Sequence, residues 1–198
     1  MKPEINTFFP TNRQQWRDWL AEHHDKQVPV WLLYPKKKSG LPGVTYDEAV
    51  EEALCFGWID STAKSVDTDT FMQFFCPRKP KSGWSKVNKE RLVRLTDAGL
   101  MMPAGTASIE RAKENGSWEL LDEAEAQLVP PDLASELAKR PVASDFFASL
   151  CRSDKRAILI WISAAKRSET RQKRIDELID CTDQRIKPKF LQPTKKKG

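Results

Sequence analysis

Apolar residues recur every three or four positions along most of this chain. In three places that spacing gives way to short runs dense in β-branched and aromatic residues. The first helical stretch is TNRQQWRDWLAEHHD, residues 11–25. It opens on a Thr/Asn cap signal and carries Trp16, Trp19 and Leu20 at helical spacing. VPVWLLYPK, 28–36, is short and apolar throughout, the pattern of a buried strand, and KKSGLPG, 37–43, reads as a loop. TYDEAVEEALCFG, 45–57, returns to the helical period, with Tyr46, Ala49, Val50, Ala53 and Leu54 as its stripe. Thr45 and Glu48 are spaced for a capping box and Gly57 for a stop. WIDSTAKSV (58–66) and TFMQFFCP (70–77), separated by DTD, predict a β-hairpin that sets Ile59 opposite Cys76. Two more helices follow: WSKVNKERLVRLTDAG, 84–99, capped by Ser82 or Ser85, and MPAGTASIERAKENG, 102–116, with Pro103 in its first turn and Gly116 after its end.

The composition changes at SWELLDEAEAQLVPP, 117–131, and only helical spacing follows, over 132–140, 141–151, 153–167 and 168–181. The expected organisation is an α+β domain over 1–117, a helical section over 118–183, and a flexible basic tail over 184–198. The α+β part is expected to be a small, mostly antiparallel sheet, with the hairpin in it, covered by helices.

Charge sharpens this picture. The net value is +5, but residues 47–70 carry seven acids and one Lys, while 76–94 carry seven Lys/Arg and one Glu; 171–198 carry nine Lys/Arg and four acids. Either the acidic and basic blocks face each other, or a basic face stays free to attract an anion, a nucleic acid or an acidic lipid. No run reaches the ~18 apolar residues of a membrane span. MKPEINTFFPTNRQQW lacks the basic end and apolar core of a secretory signal, so a cytoplasmic location is expected. The four cysteines form no CxxC and lie far in sequence from the adjacent His23 and His24, which argues against a metal site. No cofactor motif is present: neither GxGxxG nor GxxxxGK[ST] occurs.

VWLLYPKKKSG (30–40), YDEAVEEALCFGWIDS (46–61), FCPRKPKSGWSKVNKERLVRL (75–95), MMPAGTASIERAKENGSW (101–118) and AAKRSETRQKRI (164–175) together resemble the YdeI/OmpD-associated (bacteriocin-protection) family, in order along nearly the whole chain. Ser168 stands where that pattern leads one to expect proline, a mild change because serine also suits a helix start. The resemblance implies a bacterial cytosolic protein with a YdhG-like α+β part and a helical C-terminal part. It implies a role in envelope stress or in tolerance of cationic peptides and bacteriocins, and it brings no catalytic residues.

The candidate chemistry lies between residues 55 and 88. Cys55 falls at a helix C-terminus beside Glu51 and Glu52, where the partial negative charge opposes a thiolate, so it reads as core. Cys76, next to a basic loop, is the better thiol, and a 55–76 disulfide is not favoured because Cys76 faces Ile59. Asp60 is an acid early in a strand, where acids are depleted. Two readings stand for it: an ion pair with Arg78, or a functional carboxylate in a cleft. PRKPKSGWSKVNKER combines a basic loop with a helix N-terminus, a setting for an anion. The candidate ligand-binding residues are therefore Asp60, Arg78, Lys81, Trp84, Ser85 and Asn88. Trp84 would stack on a planar group, and Asn88 shares a face with Ser85. The function expected is non-enzymatic binding of an anionic ligand or a protein partner. One alternative is nucleic-acid binding through the basic segments 76–94 and 171–190; another is an enzyme of unknown reaction.

Overall fold

The computed structural model describes residues 6–36 and 38–192. They form two compact units that divide between Leu120 and Leu121.

The first unit is built on four strands, β1 (Thr7–Phe8), β2 (Val30–Pro35), β3 (Trp58–Ser65) and β4 (Thr70–Pro77), in the order β1-β2-β4-β3. Helices α1 (Arg13–His23), α2 (Tyr46–Cys55), α3 (Lys86–Asp97) and α4 (Pro103–Glu114) complete it. The fold class is α+β as expected, and the pairings are antiparallel except β1 with β2. β1 escaped the sequence reading: two residues give no periodicity to detect. It is held by a bond from the Trp31 amide to the Asn6 carbonyl and by Phe8 stacking on Trp19.

Each strand sorts its residues by face. Val30, Leu32 and Tyr34 of β2 and Phe75 of β4 are buried in one core with Trp16 and Leu20 of α1 and with Ala49, Val50, Ala53 and Leu54 of α2. The Trp16 indole donates to the Ala49 carbonyl at 3.0 Å, so even this buried polar group is satisfied. The hairpin takes the expected register, Ile59 opposite Cys76. Between Asp60 and Ala63 the ladder slips, two residues of β3 opposing one of β4, a β-bulge. The helix ends follow their sequence signals. Asn12 caps α1, Thr45 and Glu48 close a complete capping box on α2, and Ser85 caps α3.

The turn from α2 into β3 is where α4 docks. Gly57 there has φ +74°, a conformation side chains disfavour. A Cβ on Gly57 would meet the Ala104 carbonyl at 2.9 Å, and one on Gly105 would meet the Cys55 carbonyl at 2.2 Å. The Met102 amide bonds to that same Cys55 carbonyl at 3.1 Å.

The second unit consists of α5 (Asp122–Glu125), α6 (Pro131–Ala138), α7 (Pro141–Ser149), α8 (Arg152–Ser163) and α9 (Ser168–Asp183) around Leu133, Phe147, Ile158, Leu159, Ile162, Ile175 and Leu178. The tail expected from residue 184 begins with a docked stretch. Lys187 pairs with Asp154 at 2.6 Å, and Phe190, in a single 3-10 turn at Lys189–Leu191, packs its ring 4.9 Å from that of Trp161. Residues 193–198 lie outside the described residues.

Candidate functional site

The hairpin register separates the two charges that were expected to pair. Asp60 lies opposite Phe75, on the side of Ile59 nearer the hairpin turn, whereas the Arg78 amide bonds to the Gly57 carbonyl at the other end of β3. In an antiparallel ladder, moving one strand toward the turn moves its partner away from the loop beyond. The Asp60–Arg78 ion pair does not form. Asp60 instead accepts hydrogen bonds from the Tyr46 hydroxyl at 3.0 Å and the Gln73 amide at 2.6 Å.

Arg78 and Trp84 do come together. The guanidinium lies over the Trp84 ring, 3.6 Å from its centroid, and Nη2 donates to the Gly83 carbonyl. Arg78 is 8% exposed, and its Nε has no hydrogen-bond partner. Burial lowers its pKa to about 10, with the field of Asp60 acting the other way. Trp84 is itself buried, one face under Arg78 and its ring 5.3 Å from that of Trp118. Ser85 and Asn88 meet as a helix cap: the Ser85 hydroxyl accepts from the Asn88 amide, and the Asn88 side chain accepts from Arg91. Lys81 is exposed on the loop between β4 and α3.

Arg78 faces a cleft of about 430 Å³ whose wall includes His24, Gly57, Ala104, Ala107 and Arg111. His24 Nδ1 is bonded to the Leu20 carbonyl at 2.9 Å, so Nδ1 carries a proton and Nε2 is the nitrogen left for other partners. Ala104, Ala107 and Arg111 recur at three- and four-residue spacing and so share one side of α4, whose first turn has no side-chain cap. The basic loop is pinned at this cleft. The Pro80 carbonyl accepts from Asn115 at 2.9 Å and from Ser117 at 3.1 Å. Sequence reasoning missed His24 and Arg111. Each reads locally as a helix-end or solvated residue, and only the docking of α4 gathers them.

Much of the basic block elsewhere is neutralised. Arg91 pairs with Asp47, and Arg94 with Glu51 at 3.4 Å, so acids of α2 face bases of α3. In the second unit Arg171 grips Asp132 at 2.5 and 2.9 Å, and Arg140 pairs with Asp183 at 3.0 Å.

The four cysteines are free thiols. Cys55 is fully buried, and its thiol is pushed up to about 11, chiefly by burial and then by Glu52. Burial also raises Cys76, against the pull of Lys79. A disulfide-exchange reagent at pH 8 is therefore expected to label exposed Cys151 first and to leave Cys55 unlabelled until the protein is denatured. Mass mapping of the labelled peptides reads the order, and early labelling of Cys55 would contradict its placement in the core.

Residues 8–108 match the family model described as "Domain of unknown function (DUF8412)". Residues 128–185 match the one described as "Bacteriocin-protection, YdeI or OmpD-Associated". The second match falls within the helical unit, a narrower span than the resemblance read along the sequence. No curated protein and no solved structure matches the chain.

Proposed function

The chain belongs to the DUF8412 family and carries a YdeI/OmpD-associated domain, and on that premise we propose that it is a non-catalytic binding protein of the bacterial cytosol. Its sheet-bearing unit takes up an anionic small molecule in the cleft at Arg78. One observation carries this reading: Arg78 is a buried cation with no carboxylate within ion-pair reach among the described residues. Taking an unpaired charge out of water costs several kcal/mol, and an unmet buried donor adds about 1–3 kcal/mol. A phosphate or carboxylate in the cleft would offset both terms. Arg111 and the free nitrogen of His24 stand where they would assist. The pairing of Arg91, Arg94, Arg140 and Arg171 with acids leaves less charge for a nucleic-acid backbone, which favours a small ligand. The description of the family matched by residues 128–185 suggests the setting, protection against bacteriocins, and four free thiols suit a reducing compartment.

Thermal-shift titration with inorganic phosphate, citrate, a nucleoside monophosphate and a single-stranded oligonucleotide tests the proposal. At least one small anion is expected to raise the melting temperature of the native protein. Arg111→Ala, an exposed position, is expected to weaken that anion about tenfold, ~1.4 kcal/mol. No response to any small anion sinks the reading, and a response to the oligonucleotide alone transfers the function to nucleic acid.

A further inference from the structure

The hydroxyl of Tyr34 on β2 is a second buried polar atom left unmet. Tyr34 is 1% exposed, its ring stacked on Phe71 at a centroid distance of 4.7 Å, and its hydroxyl has no hydrogen-bond partner. Tyr34, Phe71 and Tyr46 line a cavity of about 340 Å³, closed on another side by Gly43, Val44 and Thr45 ahead of α2. The Tyr46 hydroxyl joins this cavity to Asp60. Both hydrogen bonds to Asp60 fall on one oxygen, Oδ2, and both donors are neutral; Oδ1 accepts none. Lys36 also borders the cavity, but its ammonium is turned to Ser65 and to the Asp67 carbonyl. Among the described residues no cation forms an ion pair with Asp60, although its field reaches Arg78. The burial of Tyr34 and its proximity to Asp60 both push that phenol well above its ordinary value, so it stays neutral and able to donate or accept.

We propose that the Tyr34–Tyr46–Asp60 cluster is a recognition site for an organic ammonium group, carried by a free amine or by a lysine side chain. Such a group has N–H donors for Asp60 Oδ1 and for the Tyr34 oxygen. The faces of Tyr34, Phe71 and Tyr46 attract a cation through their ring quadrupoles. An anion would be repelled by Asp60, and a neutral alcohol would leave its charge unbalanced. The residues lining this cavity are not those lining the Arg78 cleft.

Calorimetric titration with butylammonium, with an acetylated tripeptide bearing a central lysine, and with butanol as the neutral control tests the assignment. At least one ammonium ligand is expected to bind while butanol does not, and the tighter of the two identifies the source. Asp60→Asn is expected to weaken binding at least tenfold and Arg140→Ala, an exposed position in the second unit, to leave it unchanged. Should Asp60→Asn not fold, Tyr34→Phe, which removes only the hydroxyl, is expected to weaken binding severalfold. Failure of both ammonium ligands to bind the native protein overturns the proposal. So does equal affinity in Asp60→Asn, or in Tyr34→Phe where that variant replaces it.

Discussion

Alanine at position 105 is expected to destabilise the sheet-bearing unit by about 2 kcal/mol, although alanine is the better helix former. In an open helix the change from glycine would gain about 1 kcal/mol. Here the added Cβ would sit 2.2 Å from the Cys55 carbonyl oxygen and 2.9 Å from that of Leu54. Both contacts are to backbone, so no side chain can swing aside. α4 must lift off the α2–β3 corner, straining the Met102–Cys55 hydrogen bond and the approach of Ala104 to Gly57. Overpacking costs about 1–3 kcal/mol and occasionally more; with rigid partners the upper end applies and outweighs the propensity gain. Urea denaturation followed by tryptophan fluorescence reads the change, since Trp16, Trp58 and Trp84 are all buried in this unit. An unchanged or raised midpoint would show that α4 is not held this tightly. Because the Arg78 cleft uses Ala104, Ala107 and Arg111, the same variant is expected to weaken anion binding as well.

Local signals in this sequence carried the elements well because they are local in physics. A capping box needs only Thr45 and Glu48, and the DTD turn sets the pairing beside it, Ser65 opposite Phe71; the bulge between Asp60 and Ala63 then shifts the register by one and brings Ile59 opposite Cys76. In the eight-residue run TFMQFFCP apolar residues fall on both faces, yet only Gln73 and Phe75, on one face, are buried; the lateral neighbours β2 and β3 pair its edges. The error over Asp60 and Arg78 came from geometry that was already readable. With Ile59 opposite Cys76, Asp60 falls opposite Phe75 and recedes from the loop as Arg78 extends the other way. Trp84 reads as a stacking platform until the fold places Arg78 upon it.

The cleft was less legible, since it depends on where α4 lands. His24 ends the first helix and Arg111 sits in ERAKEN, and nothing in either stretch points to the other. One clue was present: Gly105 lies inside a helical stretch, where a glycine signals close backbone approach as often as weakness. Taken with Gly57, it marks both sides of the contact that builds the wall. The orphaned hydroxyl of Tyr34 had no such clue, because burial without a partner is a property of the packed core alone.

Glutamate 52 is expected to be the most costly acid to remove. Replacing it with alanine should lose about 3 kcal/mol, whereas Glu51→Ala, one residue away, should lose less than ~1 kcal/mol. Glu52 is 2% exposed and receives Arg13 Nε at 2.5 Å and Arg17 Nη1 at 2.6 Å. Arg17 also donates to the Leu100 carbonyl at 2.9 Å, tying α1 to the segment just before α4. Without the carboxylate, Arg17 loses its anion and Arg13 keeps only Glu51. Breaking a buried pair from one side costs about 3–5 kcal/mol, and the lower end applies because both arginines keep some contact with water and can rehydrate. Glu51 pairs with Arg13 at 3.1 Å and Arg94 at 3.4 Å, but Glu51 is itself more exposed than Glu52 and Arg94 is mostly in solvent, which screens what they contribute. Glu52→Gln separates charge from shape: it keeps the packing and one acceptor, so it should fall between the two. Denaturant midpoints for the three variants give the order. Equal losses at 51 and 52 would mean that the number of ion pairs, and not burial of the carboxylate, governs this joint between α1 and α2.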